Sequence, residues 1–123
     1  MEYQKPYISI VQECIDSIND ASMAKLFSKV LSNFDENRQG FIKNTTGFFL
    51  ADIISKFKVK GQKNIKDVLT SDVFKKCIKQ NKEIKKLFKN HNLEDVFYAY
   101  TYSFVFYCKA NPQDVSKVFG IDV

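Results

Sequence analysis

The feature that most constrains this chain is the stretch from Val96 to Cys108, thirteen residues that carry no formal charge. Its aromatic and β-branched residues favour a strand. The stretch is nevertheless longer than most strands, and no turn residue divides it into a hairpin. Asn92, followed by Glu94 and Asp95, is typical of the start of a helix. We therefore predict a helix that is apolar on nearly all sides and lies at the centre of a helical bundle.

The rest of the chain indicates an all-α fold in one domain, residues 1–123. Hydrophobic residues make up 45% of the composition, whereas only four glycines and two prolines are present, which disfavours a turn-rich β architecture. We predict a compact bundle of about five to six helices. In chain order they are Pro6 to Ile18, Ala21 to Phe34 after a cap at Asp20, a helix from Thr45 or Thr46 to Phe57, a short turn after Asn64, Ser71 to about Asn90, the central helix, and a last helix from Asn111 to Gly120.

The cysteines and the hydropathy indicate a chain in a reducing, cytoplasmic environment. The longest uncharged stretch is too short to cross a bilayer. The first residues lack the basic and apolar regions of a secretion signal. The three cysteines, Cys14, Cys77 and Cys108, show no spacing typical of a metal or redox site. We expect all three to be buried thiols.

The segment from Phe34 to Gly47 resembles the loop of an EF-hand calcium site. Loop positions 1, 3, 5, 6 and 8 are occupied by Asp35, Asn37, Gln39, Gly40 and Ile42. Position 12, however, is Thr46 where the motif has a bidentate glutamate, and Arg38 adds a positive charge inside the loop. We therefore expect no metal there and interpret the segment as a polar connection between helices that bends at Gly40.

No group of residues indicates a catalytic centre. The one histidine, His91, falls in a predicted turn between helices and is expected to face solvent. The cysteines fall on apolar helical faces, which favours inert core thiols over nucleophiles. The four glycines are too far apart for a phosphate-binding loop. We expect no enzymatic activity, cofactor, metal or small-molecule substrate.

The tyrosines of the predicted central helix allow two interpretations. Exposed rings could stack on the bases of single-stranded nucleic acid. Tyrosines in an apolar segment more often belong to a core, with the hydroxyl reaching the surface or a buried acceptor. We favour the core for these residues, which are Tyr98, Tyr100, Tyr102 and Tyr107.

The charge of the chain is strongly uneven. The whole chain has a formal net charge of +5. The span from Lys56 to Lys89, the lysine-rich segment, contains twelve lysines and three acidic residues and thus carries +9, whereas the remainder carries −4. Arginine is represented by Arg38 alone, so bidentate recognition of guanine or phosphate is not expected.

If Ser71 to Asn90 forms one helix, its lysines form a stripe. Five of them fall within about 80° of arc on a helical projection, opposite an apolar face. Like charges at this spacing repel each other, and a polyanion would relieve the repulsion. The candidate polyanion-binding residues are the stripe, Lys75, Lys79, Lys82, Lys86 and Lys89, and the flanking Lys56, Lys58, Lys60 and Lys63.

Two functions follow from this charge pattern. In the first, a helical binding module holds the backbone of a nucleic acid, or another polyanion, through the lysine stripe. In the second, a protein-interaction module, such as an inhibitor, immunity or adaptor subunit, docks its basic face on an acidic partner protein. The first depends on Ser71 to Asn90 forming a single continuous helix.

Overall fold

The computed structural model describes Asp16, residues 21–57 and residues 63–122. Apart from Asp16, the predicted first helix and its neighbour Asp20 lie outside the described residues. The chain folds as an all-α bundle, as predicted. The elements are α1 (Ala21–Leu31), α2 (Glu36–Lys56), β1 (Lys63–Asn64), α3 (Ile65–Leu69), α4 (Asp72–Gln80), α5 (Lys82–Leu87), α6 (Leu93–Ala110), α7 (Pro112–Asp114), a π-helical turn (Val115–Phe119) and β2 (Ile121–Asp122).

The central apolar helix is confirmed as α6. Asn92 caps it, because its side-chain oxygen accepts a hydrogen bond from the backbone N–H of Glu94 at 2.9 Å. Every residue from Asp95 to Val105 is buried, so the helix has no polar face over this part of its length. None of the described helices is both long and apolar enough to cross a membrane.

Aromatic contacts join α6 to three other helices. From α1, Phe27 stacks on Phe106 with ring centroids 5.1 Å apart. From α2, Phe49 meets Tyr100 edge to face at 5.3 Å. From α4, Phe74 meets Phe104 edge to face at 5.5 Å. Such pairs add specific geometry to the burial of apolar area, so α6 is the element on which the other helices are assembled.

The tyrosines of α6 belong to the core, as expected. Tyr98, Tyr100 and Tyr102 are buried, and Tyr107 is half-buried. The hydroxyl of Tyr100 shares a hydrogen bond with the hydroxyl of Thr45 on α2 at 2.8 Å. Burial raises the pKa of Tyr100 far above its ordinary value. These rings are therefore not a surface for stacking bases.

The predicted start of α2 is wrong, because the helix begins at Glu36 and not near Thr45 or Thr46. Asp35 is the N-cap, and its carboxylate accepts a hydrogen bond from the backbone N–H of Arg38 at 2.9 Å. This hydrogen bond, together with the guanidinium of Arg38, lowers the pKa of Asp35. Thr45 and Thr46 lie inside the helix, where their hydroxyls donate to the carbonyl groups one turn earlier.

The segment that resembles an EF-hand loop is consequently helical. Gly40 does not bend the chain but occupies an ordinary helical position, with no heavy atom within 4 Å of where a Cβ would stand. The interpretation of Phe34 to Gly47 as a polar connection is therefore wrong. The carboxylate of Asp35 is used as a helix cap and in an ion pair with Arg38.

The predicted last helix, from a cap at Asn111 through Pro112 to a stop at Gly120, is confirmed in part. Pro112 takes the first helical turn, and Gly120 ends the π-helical turn in the left-handed conformation, with φ 64°. Asn111 makes no side-chain cap, because its amide donates to the carbonyl of Tyr107 at 3.0 Å. Ile121 is buried and pairs with Lys63 in a short parallel bridge between β2 and β1.

Candidate binding cleft

The stretch from Ser71 to Asn90 does not form one helix, and that prediction is wrong. Helix α4 ends at Gln80, and α5 begins at Lys82. Asn81 between them has an extended backbone, with φ −71° and ψ 120°. Its side-chain oxygen accepts a hydrogen bond from the backbone N–H of Ile84 at 3.0 Å, so the same residue ends α4 and caps α5.

The break removes the continuous lysine stripe. One extended residue redirects the chain, so the lysines of α5 do not continue the helical ridge of α4. On α4, Lys76 and Lys79 are exposed, whereas Lys75 is half-buried. On α5, Lys82, Lys85 and Lys86 are exposed, as is Lys89 in the turn that follows. The helices remain amphipathic, because the apolar side chains of both point inward, namely Phe74, Cys77, Ile78 and Ile84.

A cleft lies where α4, α5 and the start of α6 meet. Its volume is about 300 Å³, and we call it the basic cleft. The residues that line it are Ile78, Lys79, Ile84, Lys85, Phe88, Lys89, His91 and Leu93. Four of them are apolar, three are lysines with exposed side chains, and no carboxylate is included among these described lining residues.

The wall of the basic cleft is held by aromatic contacts. The ring of His91 lies 5.2 Å from that of Phe34 and 5.7 Å from that of Phe88. Phe34 and Phe88 also meet edge to face at 5.3 Å. The backbone N–H of His91 donates to the carbonyl of Phe88 at 3.0 Å and closes the turn. His91 is thus in a turn, as predicted, but it is half-buried and does not simply face solvent.

Two buried polar atoms near this wall have no hydrogen-bond partner among the residues that the structure describes. They are Nδ1 of His91 and Oδ1 of Asp95. Burial raises the pKa of Asp95. The carboxylate of Asp95 therefore lies in an environment that disfavours its charge.

Arg38, the only arginine in the sequence, holds helix α5, which contributes residues to the basic cleft. The Nε of Arg38 donates to the carbonyl oxygen of Leu87, the last residue of α5, at 2.6 Å. A cation at the C-terminal end of a helix is favourable because the unpaired carbonyls there carry negative partial charge. Arg38 therefore ties α2 to α5 and fixes one side of the basic cleft.

The structure brings together only part of the predicted site. Of the nine candidate lysines, Lys79 and Lys89 line the basic cleft, joined by Lys85, which the stripe had left out. Lys82 and Lys86 are exposed outside it, Lys75 is half-buried outside it, and Lys56 pairs with Asp52 at 3.2 Å. Lys58, Lys60 and the side chain of Lys63 lie outside the described residues. Asn81, a residue type that favours helix caps, was the sequence signal for the break.

The cysteines that the structure describes are buried free thiols, as expected. They are Cys77 on α4 and Cys108 on α6, and Cys14 lies outside the described residues. Burial raises the pKa of Cys108 to about 12 and also raises that of Cys77. A thiol held protonated in this way is a poor nucleophile.

Comparison of the chain with protein-family models, with curated proteins and with solved structures found no match.

Proposed function

We propose that this chain is a non-catalytic interaction module that docks on an acidic partner protein through its lysine-rich segment. The observation that carries the proposal is the composition of the basic cleft. It combines apolar side chains with a rim of three lysines. Within the described part of the chain, no ion pair neutralises Lys79, Lys85 or Lys89.

An acidic protein surface matches this cleft better than a phosphodiester backbone does. Protein interfaces combine a small apolar centre with a polar, charged rim, which is the arrangement found here. A nucleic-acid backbone offers mainly charge and has little to place against Leu93, the exposed apolar residue of the cleft. The interrupted helix also removes the continuous stripe on which binding of an extended polyanion depended.

Binding to a nucleic-acid backbone or another polyanion through dispersed lysines, without the continuous stripe, is the second candidate function. It is favoured by the charge of +9 on the lysine-rich segment and by the exposure of Lys76, Lys82 and Lys86 outside the cleft. Such binding would respond to the number of lysines and to salt rather than to which lysines remain. The two candidate functions therefore predict different patterns of mutational effect.

Two matched triple variants test the proposal. One, K79E/K85E/K89E, reverses the three lysines of the basic cleft. The other, K76E/K82E/K86E, reverses three exposed lysines of the same two helices outside it. Both change the net charge by the same amount. Circular dichroism and thermal unfolding of each variant would show that both remain folded.

The readout is quantitative capture of partner proteins from the source cell, followed by titration of each purified partner. We expect an acidic partner that binds the wild type and K76E/K82E/K86E but is lost with K79E/K85E/K89E. Equal binding of a partner to both variants would show that the cleft is not the docking surface. Fluorescence anisotropy with generic RNA and DNA at rising salt tests the second candidate, for which both variants should weaken binding alike.

A further inference from the structure

The basic cleft has the size and part of the apolar lining that binding of one side chain requires. Ile78, Ile84 and Phe88 are buried beneath it, whereas Leu93, at the start of α6, is 38% exposed. A cavity of about 150 Å³ lined by similar residues is large enough to hold a benzene ring. The volume of about 300 Å³ here can therefore accept an aromatic or a branched aliphatic side chain.

The charges around the basic cleft have one sign. Lys79, Lys85 and Lys89 stand on different parts of the rim, at the end of α4, in the last turn of α5 and in the turn after it. Their apolar stems can extend the walls of the cleft while the ammonium groups remain in water. A ligand that fills the cleft therefore meets lysines from three separate positions of the chain.

We infer that the basic cleft binds a single apolar side chain flanked by aspartate or glutamate residues in an acidic segment of the partner protein. This inference rests on the proposed function and specifies the chemistry of the partner. Charge complementarity fixes the flanking residues, and the apolar lining fixes the central one. The acidic side chains pair with the three lysines, and the central side chain covers Leu93.

A nucleotide base fits the same space less well. The polar groups that line the cleft in the described structure are those of three lysines and His91. The Nδ1 of His91 is itself buried against the wall. The donors and acceptors on the edge of a base would lose water without gaining matched partners, which is unfavourable. A hydrocarbon side chain has no such groups, so a peptide is the favoured occupant.

The test uses short capped peptides and the full chain. The probe contains one phenylalanine between runs of glutamate. A second peptide replaces phenylalanine by serine, and a third replaces the glutamates by glutamine. A single-stranded DNA oligonucleotide of the same charge is the fourth ligand. Fluorescence anisotropy at constant salt gives the dissociation constant of each.

A pair of protein variants locates the binding. Leu93→Asp places a carboxylate at the mouth of the cleft, at a helix start where a negative charge is tolerated. Val118→Asp makes the same change at an exposed apolar residue in the π-helical turn, outside the cleft. Both positions are on the surface, so both variants are expected to fold, which circular dichroism checks.

We expect the probe to bind the wild type and Val118→Asp equally and to lose about tenfold or more in affinity with Leu93→Asp. The serine peptide and the glutamine peptide should each bind about tenfold or more weakly than the probe. Equal affinity of the serine peptide, tighter binding of the oligonucleotide, or equal effects of the two aspartate variants would overturn the inference. If the probe fails while K79E/K85E/K89E still abolishes partner capture, docking through the lysines stands and the binding of a single side chain in the cleft does not.

Discussion

Helix α6 is buried on nearly all sides along its central part, whereas the lysine-rich helices α4 and α5 each bury one face only. Helix α6 runs without interruption for 18 residues and contacts α1, α2 and, through Phe74, α4. Helices α4 and α5 have 9 and 6 residues, are interrupted at Asn81, and bury one face each. Short helices are marginal on their own, so packing decides whether a helix continues. Helix α6 is packed along its buried length, whereas a local cap suffices to end α4.

Because of this difference in burial, we expect substitutions in α6 to affect stability and substitutions of the lysines on α4 and α5 to affect binding. A buried side chain of α6 contacts neighbours on several helices, so its removal leaves a cavity. The exposed lysines contribute little to folding and remain available to a partner. We therefore expect stability to depend mainly on α6, and the recognition surface proposed above lies on the interrupted helices. The variants below are designed to test this separation, in order of decreasing expected effect.

The largest effect is expected for Phe104→Ala. Phe104 is fully buried in α6 and lies against Phe74 and Tyr100. Its truncation should lower the free energy of unfolding by about 3–5 kcal/mol. Urea unfolding followed by circular dichroism measures this change.

The control is Lys86→Ala on α5, which should change stability by about 0.5 kcal/mol or less. A comparable loss in both variants would show that the lysine-rich helices carry as much of the stability as α6.

A second effect concerns the buried hydroxyl pair between α2 and α6. The hydroxyl of Thr46 donates to the carbonyl of Ile42 and shares a hydrogen bond with that of Ser103. Thr46→Val should cost about 1–2 kcal/mol, because it leaves the hydroxyl of Ser103 without this partner in the core. The double variant T46V/S103A should cost less than the sum of the single variants, as a double-mutant cycle in urea would measure. Strict additivity would show that the two hydroxyls act independently.

A third effect concerns the break itself. Asn81→Ala removes the cap of α5 and should lower the free energy of unfolding by about 1 kcal/mol. Cα chemical shifts should show whether residue 81 remains extended between two helices. If the variant is as stable as the wild type and its shifts become helical from residue 72 to 87, the interruption depends on one side chain and not on packing.

The smallest effect concerns Asp95, which lies in the first turn of α6. Burial raises its pKa, so its ionised form destabilises the folded state at a pH above that value. Asp95→Asn should therefore stabilise the protein at neutral pH, by about 1 kcal/mol or less. The advantage should shrink as the pH falls through the raised pKa, because the wild type then becomes neutral. A variant that is less stable at neutral pH would show that the carboxylate assists the helix start.

Local sequence chemistry predicted the central helix, because the cap at Asn92 and the length of the uncharged run outweigh the strand propensity of its aromatic and β-branched residues. It likewise predicted the roles of Pro112 and Gly120 at the C-terminus. Local sequence chemistry failed at α2, where Asp35, Thr45 and Thr46 are all acceptable caps and Gly40 suggested a bend. The spacing of Ile42, Thr46, Phe49 and Ile53, all buried, was the signal that the helix begins earlier.

The basic cleft could not be predicted from the sequence. Its lining comes from α4, α5, a turn and the start of α6, which meet only after Asn81 redirects the chain. On a single helix Lys85 falls off the stripe, yet the break places it on the rim with Lys79 and Lys89. The charge excess of the segment was visible, whereas the apolar floor between its lysines depended on tertiary structure.

The central claim is that recognition takes place in the basic cleft while α6 remains a structural core. The most direct measurement is a chemical-shift map of the isotope-labelled chain titrated with the glutamate–phenylalanine peptide. The account predicts that amide shifts concentrate between residues 78 and 93 and leave residues 96–105 of α6 unchanged. Shifts spread evenly over the lysines of residues 56–89, or centred on another face of the bundle, would contradict it.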